Sequence, residues 1–110
     1  MSNIRYCVKS KSEQVNIYQF VEENKIVFHT DNEYGWLQVP RALLERFGIE
    51  KKISGLSFQH DGFVYLEEDR DAPTFICAVF SSSVERQIFL NAVPEKYTEE
   101  ESPIRSYDRY

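Results

Sequence analysis

Nowhere in the chain do about 18 apolar residues follow one another, the length a membrane-spanning helix needs, and no apolar run follows the positive charges near the N-terminus. A soluble, cytoplasmic protein without membrane contact is therefore expected. Glycine is scarce: Gly35, Gly48, Gly55 and Gly62 stand singly, which leaves no phosphate loop and no dinucleotide fingerprint. His29 and His60 are the only histidines, and neither lies beside a glycine-rich elbow or an oxyanion-type loop, so no catalytic residue is assigned. Cys7 and Cys77 are too few and too far apart for a disulfide framework and suit two buried thiols. Together with the histidines they lack the short spacings that gather zinc ligands, so neither a metal nor another cofactor is expected. Positive charge is in deficit, with 13 Lys and Arg against 18 Asp and Glu, a net charge of −5. That balance disfavours direct binding to nucleic acid or to an anionic membrane and is compatible with a basic partner.

The 110 residues, 42% of them hydrophobic, suit one domain, and eight Phe, seven Tyr and one Trp must supply much of its small core. Residues 1–24 form an extension in which Ile4, Tyr6 and Val8 alternate like a strand, while Val15, Tyr18 and Val21 make a helical stripe and Ser10 and Glu13 have capping-box spacing. Residues 25–93 form the core. Ile26 to Phe28 and Trp36 to Val39 are predicted strands either side of a turn-forming stretch, Asp31 to Gly35. Pro40 suits the first position of a short helix with Leu43, Leu44 and Phe47 on one face and Gly48 at its left-handed end. Asp61-Gly62, between Leu56 to His60 and Phe63 to Glu67, is the pair a type I′ hairpin favours. A helix capped by Asp69 or Asp71, with Pro73 in its first turn and Phe75, Ile76, Val79 and Phe80 on its apolar face, is predicted to end at Ser81 to Ser83. The alternation of Ile88, Leu90 and Ala92 then predicts a strand over Arg86 to Val93, and residues 94–110 read as a tail. The sum is an α+β domain, a small mainly antiparallel sheet with two or three short helices packed on one side.

Three features are candidates for partner binding. The acidic cluster Glu67, Glu68, Asp69 and Asp71 concentrates carboxylates that could meet a basic surface or only favour a helix start. Tyr34 and Trp36 flank a turn where aromatic anchors are frequent, although a tryptophan opening a strand also suits the core. In the tail, Arg105 and Tyr107, followed by Arg109 and Tyr110, interleave cations with aromatics.

The segments Tyr34 to Pro40, Gly48-Ile49, Tyr65 to Asp69 and Ile104 to Tyr107 resemble a family of small bacterial proteins with a GWL-x-VP segment, an LGI helix end, a YLEED stretch and an IRSY-like C-terminus. That family is frequent on phages, plasmids and integrated elements and carries no established activity. Tyr34 stands where a His is common in it, and Arg70 where a Cys is common. Within the same stretch, His29-Thr30, Gly35, Leu37 to Pro40, the helix from Arg41 to Ile49 and the Asp61-Gly62 hairpin look like an AbrB or MazE-type swapped-hairpin DNA-binding domain. Residues 29–40 hold Asp31 and Glu33 but no Lys or Arg, against the electrostatics such DNA binding requires. Small size, acidity and the absence of catalytic groups, taken with the first resemblance, lead to the expectation of a non-enzymatic accessory protein of a phage or mobile element that inhibits a host defence protein, of anti-CRISPR or anti-restriction type, by protein–protein contact. Its partner would be a nucleic-acid-binding enzyme with a basic groove. The second implies a DNA-binding regulator or antitoxin, and a homodimer is compatible with either.

Overall fold

A computed structural model describes residues 11–110, with side chains from residue 16 onward. The strand expected at Ile4, Tyr6 and Val8, the thiol of Cys7 and the Ser10–Glu13 capping box lie outside the described residues. The chain forms α1 (Lys11–Glu23), β1 (Val27–Thr30), β2 (Gly35–Pro40), α2 (Arg41–Arg46), a 3-10 turn (Glu50–Lys52), β3 (Phe58–His60), β4 (Phe63–Glu67), α3 (Asp71–Val79), α4 (Ser83–Ala92), β5 (Glu95–Tyr97), a second 3-10 segment (Pro103–Ser106) and β6 (Asp108–Arg109). The strands make one six-stranded sheet in the order β5-β1-β2-β4-β3-β6. Every pairing is antiparallel except that of β5 with β1.

Strand alternation divides the sheet into two unlike faces. Leu37 and Val39 of β2 and Val64 and Leu66 of β4 point to one side, where they pack with Ile17 and Val21 of α1, Leu43 and Leu44 of α2, Phe75 of α3 and Phe89 of α4. Trp36, Phe58 and Tyr65 point to the other, where Ile104 of the C-terminal 3-10 segment covers them. The α+β architecture with helices against one face is as the sequence predicts, with four α-helices among the described residues where two or three were expected.

The hairpin forms as its sequence requires: Asp61 and Gly62 both adopt positive φ, 50° and 83°, the type I′ geometry that matches strand twist. Gly48, at φ +69°, closes α2, with the Ile49 amide donating to Leu44 O at 2.9 Å. Pro40 sits one place earlier than expected. It ends β2 in extended conformation, φ −62° and ψ 139°, and is the residue from which α2 departs.

Residues 86–92 are helical, not a strand, and Val93 is the extended C-cap. The Ser82 hydroxyl accepts from the Glu85 amide at 3.1 Å and the Glu85 carboxylate accepts from the Ser82 amide at 3.3 Å, a reciprocal cap that starts α4. Ile88, Phe89 and Ala92 then lie on one helical face against the core, joined by Val93 at the C-cap, while Leu90, one of the three residues of the apparent alternation, is 54% exposed. Neither Asp69 nor Asp71 caps α3: the helix has no side-chain cap, and Asp71 is its first residue, fully buried. On α1 the buried residues are Ile17 and Val21, whereas Tyr18 is half exposed. Cys77 is exposed rather than buried. Both terminal stretches belong to the domain. Ile17 and Val21 of the N-terminal extension enter the core, and the C-terminal segment adds a strand to each edge of the sheet, β5 and β6, crossing the Trp36 face between them.

Candidate interaction site

The crossing segment is held by one carboxylate. Asp31, in the β1–β2 turn, accepts from the amides of Glu33 and Tyr34, each at 2.9 Å, which fixes the turn as an Asx-type loop. Its other contacts reach over 70 residues along the chain: the Ser102 amide donates at 2.9 Å and the Arg105 guanidinium donates twice, at 2.8 and 3.0 Å. The Arg105 guanidinium, with the three amides beside it, holds the Asp31 carboxyl far below the usual carboxylate range, the gain from these donors exceeding the cost of burial. Arg105 also meets Glu33 at 3.2 Å and Glu101 at 3.6 Å.

This clamp places Arg105 against a shallow depression of about 330 Å³ lined by Tyr34, Trp36, Leu56, Phe58, Glu67 and Arg109 as well. The Arg105 guanidinium carbon lies 4.7 Å from the Tyr34 ring centre and that of Arg109 lies 4.9 Å from the Phe58 ring, so cation–π contacts border the depression. Trp36 is its floor: 3% exposed, it stands edge-on to Phe58 at 6.3 Å and 6.0 Å from Tyr34, so it belongs to the core and supports the surface from beneath. Tyr34 and Leu56 are the exposed apolar groups, at 54% and 49%.

The fold thus joins Tyr34, Trp36, Glu67 and Arg105 from separate parts of the sequence. Tyr107 stays on the same sheet face but in the neighbouring area, stacked on His60 at 4.2 Å and 5.2 Å from Tyr65. The acidic cluster does not act as one surface. The Glu67 carboxylate closes its own turn, accepting from the amides of Asp69 and Arg70 at 2.9 Å each. Asp71 is buried and unable to touch a partner; its Oδ2 accepts from the Ser54 amide, the Ser54 hydroxyl and the Ser57 hydroxyl at 3.1, 2.7 and 2.5 Å. Glu68 and Asp69 remain exposed. Leu56 and Phe58 were not assigned to the site from sequence, because they read only as hairpin residues, whereas Arg109 belongs to the cation–aromatic pattern of the C-terminal segment and joins Arg105 at the depression. Asp31 read only as a turn former, and nothing local connects it to Arg105.

No group of three or more His, Cys, Asp or Glu residues that could hold a metal occurs among the described residues, and none of their helices is long and apolar enough to cross a membrane. Compared with protein-family models, with curated proteins and with solved structures, the chain matches none.

Proposed function

We propose that the protein works by binding another protein through the Tyr34–Leu56 depression and catalyses no reaction itself. The observation that carries this is the pairing of two exposed large apolar side chains with arginines already engaged inside the chain. Arg105 is committed to Asp31, Glu33 and Glu101, and Arg109 donates to Gly55 O at 2.9 Å. Tyr34 and Leu56 would supply contact area while the tethered guanidiniums form an ordered polar rim, the composition of a binding hot spot. A narrower version follows from the GWL-x-VP, YLEED and IRSY resemblance: the protein belongs to a phage or other mobile element, and its partner is a host defence protein of CRISPR or restriction type. A net charge of −5 would speed encounter with such an enzyme's basic nucleic-acid groove.

The test compares the parent protein with a Tyr34→Ala, Leu56→Ser double variant as immobilised baits in a host lysate, followed by binding and activity assays on any protein retained. Both side chains are exposed, so the melting temperature should hold. A partner kept by the parent and lost by the variant, whose nuclease activity the parent suppresses, supports both versions. Retention without suppression leaves binding and removes the anti-defence version. Identical retention by both baits overturns the assignment of this surface.

A further inference from the structure

On the opposite face of the sheet, a cleft of about 510 Å³ opens between α3, α4 and the β1–β5 edge, within the size range of small-ligand sites. Its floor and walls are apolar, from Phe28 and Leu37 on the sheet, Ala72 and Ile76 on α3, and Leu90 and Val93 at the α4 end. Three charged side chains line it: Glu68, Glu95 and Arg86.

The charges are arranged unevenly. Arg86 is tied back, its Nε donating to Phe80 O at 2.9 Å. Glu95 takes a hydrogen bond from the Thr30 hydroxyl at 3.2 Å. Glu68 lies against Gly35 so closely that a Cβ there would sit 2.8 Å from Oε1 of Glu68 and 2.7 Å from Cζ of Phe28. The bare backbone at position 35 therefore lets carboxylate and ring lie side by side. Among the described residues neither carboxylate forms an ion pair. Partial desolvation of its carboxyl, with the negative charges of Asp69, Glu67 and Glu95, pushes Glu68 above its ordinary value although the residue as a whole is exposed. Two acids brought together from strand ends far apart in sequence, opposed by a single tethered guanidinium, favour a positive group over a negative one.

We propose that this cleft binds a small amphipathic organic cation, its apolar body seated on Phe28, Leu37 and Ile76 and its ammonium or guanidinium head placed between Glu68 and Glu95. The floor supplies the burial and the acids supply orientation and sign selectivity. The site is separate from the Tyr34–Leu56 depression, since Leu37 and Trp36 project from opposite faces of β2.

The test uses a Cys7→Ser background, in which Cys77 on the cleft wall is the remaining thiol. Phenylbutylamine, phenylbutyrate and butylbenzene are titrated by methyl NMR and by protection of Cys77 from alkylation. The amine should shift Leu37, Ile76 and Leu90, slow alkylation, and bind about tenfold more tightly than the other two. Glu68→Gln with Glu95→Gln should reduce it to the affinity of butylbenzene at unchanged melting temperature. Glu95→Gln alone, at an exposed edge-strand position, should lower the amine's affinity measurably and serves if the double variant fails to fold. Equal binding of all three probes, preference for the acid, or indifference of the amine to the Gln variants overturns the proposal. So does occupancy only by a short Lys-Phe-Lys peptide, which would make the cleft a seat for a partner's side chain.

Discussion

Replacing Asp71 with alanine should cost more than its single side chain suggests, because the carboxylate joins three parts of the fold. Oδ2 accepts from Ser54 N, Ser54 Oγ and Ser57 Oγ, and Ser57 Oγ in turn accepts from the Glu67 amide at 2.9 Å, so α3, the loop before β3 and the end of β4 share one network. Ser57 is fully buried, and losing its bond to a carboxylate costs about 1.5–3 kcal/mol. Ser54 is only half-buried and can turn to water, so its two bonds contribute roughly 0.5–1 kcal/mol each. Against this, Oδ1 of Asp71 is buried with no partner, and removing it relieves about 1–2 kcal/mol. The net expectation for Asp71→Ala is about 2–3 kcal/mol, a large fraction of the roughly 5–15 kcal/mol that holds a domain folded.

Asp71→Asn separates the causes. Its carbonyl oxygen can replace Oδ2 as the acceptor, while its NH₂ must occupy the position where Oδ1 finds no partner. It should cost about 1 kcal/mol, less than alanine. Urea unfolding followed by Trp36 fluorescence gives both values, and an unchanged m-value would confine the effect to the native state. A cycle with Ser57→Ala should show the two sites coupled by about 1 kcal/mol or more. Alanine costing under about 0.5 kcal/mol, or asparagine costing more than alanine, would refute the network account.

Gly62→Val puts a β-branched residue at φ +83° and should destabilise by about 1–2 kcal/mol, read from the same unfolding curves. Leu44→Ala, at a side chain with no exposure, should cost about 2–5 kcal/mol. The Asp31 carboxyl is lowered in the fold, chiefly by Arg105, so its stabilisation is fully present above its unfolded value near pH 4 and is lost as pH falls toward the folded value. Melting temperatures measured from pH 6 down to pH 2 should therefore fall steeply below about pH 4, and Arg105→Met should flatten that fall by returning Asp31 toward its ordinary value.

Where a local rule required a particular backbone, the sequence was legible. Asp61-Gly62 and Gly48 are positions where positive φ is needed, and both are found as expected. The 86–93 segment shows the limit: Ile88, Leu90 and Ala92 fit a strand, and Ile88, Phe89, Ala92 and Val93 fit a helix equally well, so periodicity cannot choose. The Ser82–Glu85 capping box decides it, and that signal was present in the sequence. The C-terminal segment carried no such signal. Its order comes from Asp31, over 70 residues away, and from a parallel pairing of β5 with β1 that no turn announces.

The acidic cluster illustrates why charge density alone does not define a surface. Adjacent carboxylates in a turn face different ways, and each meets a different environment. Glu67 turns back to its own amides, Asp71 goes inward to two serines, and Glu68 rises over Gly35 toward the cleft. Structure separates the groups without removing their repulsion, since the charges of Asp69 and Glu67 still help to raise the Glu68 carboxyl. The partner Glu68 does gain on the cleft is Glu95, invisible from its sequence neighbours and supplied by the same β5 edge that the C-terminal segment builds. Both proposed sites thus depend on residues from 93 onward: Arg105 and Arg109 complete the depression on one face, Val93 and Glu95 the cleft on the other. The segment that reads from sequence as a tail is the one that covers the second face of the sheet and completes both proposed sites.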